Sequence, residues 1–383
     1  MTRTSRAALL RTGFLGAAML LIAALDGVFG VLAPAIRANL SVGDRELSWI
    51  FSANLTGFLL FTPVGGLING KKGFRTTFLV GFLAVLAAGG SLFLAGGIPL
   101  VCGSSFLLGA GVGLLTITAN TVIPAVAGPS AVVLLNLFHL VYAGGAAASK
   151  QLFGSLSAAG LDWRLLVAAA ALLSLLPLLA LRFVPLPPPQ PPEPGCAGLT
   201  ALWKNPVFWK FSLLSGCYLA CESLTANWLV SYSVSLGLNT ARASACLSFF
   251  FVAAMFGKLV FPTALRRFRL HRALAVFALL AAGITLGGVL LGTGGLWMIA
   301  GAGLFFSILY PSTLAAANQA FPAHTAASVS FVVTCGSCLN LLLNLAFGPL
   351  NAALGARLSY CVIPVLLVCF AAIVALRPRQ NRA

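Results

Sequence analysis

Long apolar runs, nearly empty of charge and separated by short basic stretches, leave this chain few folds to choose from. A helix needs about 20 apolar residues to cross the hydrocarbon core of a bilayer. Runs of that kind lie near 13–36, 47–69, 74–96, 98–126, 131–156, 163–184, 206–236, 240–264, 271–292, 294–320, 324–350 and 355–377, which makes twelve. Only 8% of the 383 residues are charged and 60% are apolar. A soluble chain so composed would expose sticky surface on every side. A soluble enzyme, a disordered protein and a nucleic-acid binder are thereby excluded, although a net charge of +17 would by itself suggest nucleic acid. Strands of a β-barrel would be about ten residues of alternating polarity, and these runs are too long and too evenly apolar for that. The expected fold is an all-α membrane protein with the lipid bilayer as its first partner. The first run carries Asp26 and eleven more follow it, so it is read as a span rather than a cleaved signal.

Basic residues set the orientation, because Lys and Arg collect on the cytoplasmic side. One side holds 16 of the 23, from Arg3, Arg6 and Arg11 through Lys71, Lys72 and Arg75 to Arg182, Lys204 and Lys210. It continues with Arg266, Arg267, Arg269 and Arg272 and ends with Arg377, Arg379 and Arg382. The other side holds Arg37, Arg45, Arg164, Arg242 and Arg357, while Lys150 and Lys258 fall within spans. Both termini are therefore expected in the cytoplasm, and the chain in the plasma (inner) membrane.

The apolar pattern breaks once, at mid-chain. Pro187, Pro188, Pro189, Pro191, Pro192 and Pro194 crowd a stretch that reads as a stiff extended spacer. It divides the chain into a six-span bundle at 1–184, a cytoplasmic linker at 185–205 and a second six-span bundle at 206–383. Eight of the nine cysteines lie in spans. Cys335 and Cys338 form a C-x-x-C inside the eleventh run, where no His or second pair completes a metal site. They read as packing residues. No Gly-rich loop with a following Lys-Ser/Thr is present, so neither a cofactor nor ATP-driven transport is implied.

Two halves of six spans suggest a secondary transporter built from repeats. The loop after the second span has Gly66, Lys71, Lys72, Gly73 and Arg75 and resembles the cytoplasmic gate motif of the major facilitator superfamily, with Gly70 where that family usually has Asp. Further likenesses are Gly113-Leu-Leu-Thr116 to Asn120, Asn136 to Gly145 with His139 and Tyr142, Tyr218 to Glu222 with Trp228 and Tyr232, Gly257-Lys258, and Tyr310-Pro311. Together they resemble the fucose permease-like branch, the fucose, galactose and hexose group, across essentially the whole chain. Thr116 stands where the fucose permease has a proton-linked Glu. Asp26 sits about one turn nearer the cytoplasm than that permease's acid, so its specificity and proton pair do not carry over.

The resemblance implies that spans one, four, seven and ten line a central cavity, with spans one and seven in equivalent places. Charges at membrane depth are costly and face a cavity or a partner. Asp26 in span one and Glu222 in span seven thus read as one acid per half and as the proton-coupling candidates. Asp26 alternatively pairs with Lys150 of span five, which otherwise takes an anionic group. Lys258 snorkels to the interface. Candidate substrate ligands are Asn54, Asn120, Asn136, His139, Tyr142, Lys150, Asn227, Trp228, Tyr310, Asn318, Asn340 and Asn344, with Gln319 beside Asn318. Amides and aromatic faces suit a polar solute such as a sugar, although some of the amides serve helix–helix bonding instead. The leading reading is a monomeric, proton-coupled transporter of a small polar solute by alternating access. An exporter of amphipathic compounds and a non-transporting membrane sensor remain alternatives.

Overall fold

The computed structural model describes residues 3–127, 131–188, 203–265, 269–321 and 325–376. Among them every regular element is a helix, and they arrange as twelve spans, six in each of two compact units, Met1–Glu193 and Pro194–Ala383. The first unit contains a span one broken into Arg3–Leu25 and Val28–Leu40, then Asp44–Lys72, Phe74–Phe93, Ile98–Ala127, Ala131–Ala158, and a sixth span broken into Trp163–Leu172 and Leu175–Ala180. The second contains Pro206–Ser235, Thr240–Leu265 and Leu270–Leu290, followed by a segmented span ten, Leu296–Gly301, Gly303–Phe306 and Leu309–Ala320. Thr325–Leu354 and a final span of Ala356–Tyr360 and Val362–Ala375 complete it. Most of the Pro-rich linker, Cys196, Arg266, Arg267 and the arginines from Arg377 onward lie outside the described residues.

Ten of these spans are long and apolar enough to cross a membrane. Among the described residues, span five (Ala131–Ala158, 28 residues) opens on a strongly apolar run and turns polar further on, whereas span seven (Pro206–Ser235, 30 residues) has the length but not the apolarity. They carry Asn136, His139 and Lys150, and Glu222 and Asn227, respectively.

Lipid offers no hydrophobic drive between helices, so close packing rests on small residues. Spans two and four show this at Gly109, where an added Cβ would lie 1.9 Å from the Asn54 carbonyl oxygen. At the same crossing the Asn54 amide donates to Ser105 O at 3.0 Å, and the Ser105 hydroxyl donates to Ile50 O at 2.8 Å.

Each unit also ties its helix ends with a basic side chain. Arg164, the second residue of span six, donates to Ala95 O at 2.9 Å beyond the end of span three and to Asn39 Oδ1 at 2.5 Å. Arg357, the second residue of span twelve, donates to Val289 O at 3.2 Å and Leu290 O at 2.5 Å at the end of span nine. The last carbonyls of a helix lack intrahelical donors and carry the negative end of its dipole, which is why a guanidinium settles there. The same device at the same place in both halves identifies them as structural repeats.

Candidate functional site: a polar cluster at mid-span in each unit

In the first unit the site begins with a break. Span one stops at Leu25 and restarts at Val28, with Gly27 in the left-handed region at φ 62°. A residue with a Cβ resists that conformation, so Gly27 fixes where the break falls. Pro34, two turns on, lacks the N–H that would bond back to Gly30. The break turns the Asp26 carboxylate outward, where it is exposed and accepts the Tyr142 hydroxyl of span five. An exposed carboxylate halfway along a span needs a wet surface in front of it.

Lys150 lies on span five two turns beyond Tyr142 and is 1% exposed. Its ammonium does not seek the Asp26 carboxylate. It donates to the main-chain oxygens of Ala23, at 3.1 Å, and of Asp26. Among the described residues the close ion pairs are Arg37 with Asp44 and Arg164 with Asp162, so Asp26 and Lys150 form none.

In the second unit Glu222 is half-buried in mid-span seven. The Tyr218 hydroxyl, one turn before it, donates to Glu222 Oε1 at 2.9 Å. Tyr218 is itself buried and stacks on Tyr310 of span ten, with ring centroids 5.3 Å apart and planes at 20°. One turn beyond Glu222 an amide ladder joins spans seven and eleven. Asn227 Nδ2 donates to Asn344 Oδ1 at 3.1 Å and the Ser223 hydroxyl donates to the same oxygen at 3.2 Å. Asn344 Nδ2 in turn donates to Asn340 Oδ1 at 2.7 Å and Asn340 O at 3.0 Å.

The remaining sequence candidates fall in three environments. Asn136 and His139 are exposed on span five, and Asn318 and Gln319 are exposed near the end of span ten. Trp228 is buried with its ring 5.0 Å from that of Phe347, and Asn54 is engaged across spans two and four; both serve packing in this structure. Asn120 stands apart. Its Oδ1 is buried without a donor, and so is Thr116 Oγ1 one turn earlier on the same helix. Buried oxygens in that condition call for water or a ligand hydroxyl.

In the gate motif Lys71 and Lys72 are exposed, Gly66 meets nothing, and Gly73 turns the chain at φ 85°. Arg75 donates to Val184 O at 2.9 Å and Arg182 O at 3.3 Å, capping the end of span six. Lys258 is exposed, and Cys335 and Cys338 are free thiols. Two participants were missing from the sequence candidates, Tyr218 and Ser223. Each sits one helical turn from a residue that was chosen, Glu222 and Asn227, and that spacing was the available signal.

Twelve spans in two repeated units, with acids and amides set at mid-span, define a multi-pass membrane transporter. The sequence pattern of the Major Facilitator Superfamily matches residues 15–343, and the chain belongs to that superfamily. A curated relative, Protein TsgA of Salmonella newport (strain SL254), is 31% identical over 176 residues; the match spans 44% of this chain and 44% of that protein. Among solved structures, a mutant of the nucleoside transporter NupG is similar with a TM-score of 0.81 at 14% identity, covering 95% of this chain and 98% of that one. A D-xylose-proton symporter gives 0.81 at 15% identity, covering 96% and 97%. The E. coli fucose:proton symporter FucP gives 0.63 at 18% identity, covering 96% and 99%. At these identities the structures establish a shared fold.

Proposed function

We propose that this protein carries a small polyhydroxylated solute, of the sugar or nucleoside kind, across the bacterial inner membrane by alternating access. It works as a monomer with both termini in the cytoplasm, and uptake is coupled to protons through Glu222. The observation that carries this reading is the Glu222 cluster, an acid at mid-span with a tyrosine hydroxyl on it, a stacked aromatic pair beside it and an amide ladder one turn away. A carboxyl that is neutral at one stage of the cycle and charged at another links proton movement to solute movement. Aromatic faces and neutral amides recognise a ring bearing hydroxyls without requiring a charge on it. The names of the structural neighbours, a nucleoside transporter and two sugar–proton symporters, support the same solute class. Asp26 is the second acid. Its exposed carboxylate and the Tyr142 hydroxyl favour contact with solute over a structural ion pair.

Glu222→Gln keeps the size and the hydrogen-bonding capacity and fixes the neutral state. The variant should still bind solute and still exchange it across proteoliposome membranes. It should lose accumulation driven by an imposed pH gradient, falling to the equilibrium level. Gradient-driven accumulation equal to wild type would reject the proton role and leave Glu222 as a solute ligand.

A further inference from the structure

The break in span one leaves main-chain oxygens at mid-membrane without helical donors. In a bilayer an unsatisfied carbonyl has no water to turn to and is costly, and the end of the segment Arg3–Leu25 also presents the negative pole of a half-helix. Ala23 O accepts from Lys150 Nζ at 3.1 Å and from the Ser149 hydroxyl at 3.4 Å, and Asp26 O accepts from Lys150 Nζ. The Asp26 carboxyl group lies nearby, held by Tyr142. Both donors to the break come from consecutive residues of span five, and both are buried.

This is not the arrangement of a lysine that binds an anionic solute. The ammonium is enclosed, and its two identified partners are carbonyl oxygens rather than a carboxylate. It is the arrangement of a monovalent cation in a carbonyl cage. Carbonyl dipoles bind an ammonium and an alkali ion by the same ion–dipole attraction, and broken spans in transporters place such oxygens at mid-membrane. We propose that Lys150 is a tethered cation, filling a monovalent-cation site formed by Ala23 O and Asp26 O beside the Asp26 carboxylate. While it is there, the site takes neither sodium nor potassium, and the intact protein needs neither ion at this position. Shortening the side chain vacates the site and opens it to a small free cation. This proposal concerns the first unit alone and stands or falls apart from the proton role of Glu222.

The test is thermal unfolding of the purified protein at matched ionic strength in choline, sodium, potassium, ammonium or methylammonium chloride. Wild type should melt at one temperature in all five. Lys150→Ala should melt lower in choline, on the order of 5–10 °C, because a buried negative pole has lost its counter-charge. Millimolar sodium, potassium, ammonium or methylammonium should restore at least half of that loss by occupying the site. Lys150→Gln keeps donors to the carbonyls but brings no charge and fills the space, so it should stay low in every salt. The proposal is overturned by a wild type that sodium or potassium stabilises over choline, by a Lys150→Ala protein with no cation-specific shift, or by a Lys150→Gln protein that melts like wild type. Failure of Lys150→Ala to accumulate in cells also counts against it, since cytoplasmic potassium should fill the vacated site.

Discussion

Asn344 shows how far a single side chain's role depends on its neighbours. It is wholly buried, its Oδ1 accepts from Asn227 and Ser223, and its Nδ2 donates twice to Asn340. Truncating it leaves two other amides short of partners, so Asn344→Ala should destabilise the protein by about 1–3 kcal/mol, read as a fall in melting temperature. Solute affinity should fall less than melting temperature if Asn344 is the hub of the ladder, and more if it is a direct ligand. The sequence places Asn227, Asn340 and Asn344 in spans seven and eleven but does not show that they bond to one another. Asn54 looked equivalent to Asn227 and instead fastens spans two and four through Ser105. Lys150 was expected to face either a carboxylate or an anion, and it found backbone instead, because only the folded chain reveals that span one is broken opposite it.

Among the elements, the pairing of spans two and four is the least tolerant of change. A Cβ on Gly109 would collide with backbone, the Asn54 oxygen at 1.9 Å, and backbone cannot rotate away as a side chain tip can. Gly109→Ala should therefore lower the melting temperature by several degrees, and Gly109→Leu should abolish folded protein, checked by size-exclusion chromatography of the detergent extract. Spans were legible because apolar length in a bilayer is a strong constraint. The ionisable groups of spans one, five and seven, Asp26, Lys150 and Glu222, were legible too, since a charge at membrane depth demands a purpose. The interruptions at Asp26–Gly27 and around Ala302 were not foreseen. A glycine in a span has many uses, and 40 glycines offer too many candidates.

For the whole molecule, the distribution of Lys and Arg argues that the 185–205 segment is cytoplasmic. A Gln190→Cys variant, with the native cysteines replaced, should resist a membrane-impermeant thiol reagent in intact cells and react after permeabilisation; efficient labelling from outside would reverse the orientation. The exceptions to the bias have structural work to do. Arg164 and Arg357, on the sparse side, cap helices three and nine of their own units, and Arg37 pairs with Asp44. They are held there by carbonyl ends and a carboxylate, not by the rule that sorts the other side.

The sequence by itself determined the number of spans, the two six-span units and the superfamily, because each follows from hydropathy, from charge counted along the chain, or from local motifs. It also fixed which spans carry acids and amides. Only the tertiary structure decided what those groups touch: that Tyr142 holds Asp26, that Lys150 serves the ends of a broken helix, and that Tyr218 and Ser223 complete the second cluster. The physical reason is range. Burial in lipid acts on every residue of a run and leaves a periodic trace, whereas a hydrogen bond between spans 116 to 127 residues apart depends on rotation and depth, which no local pattern records.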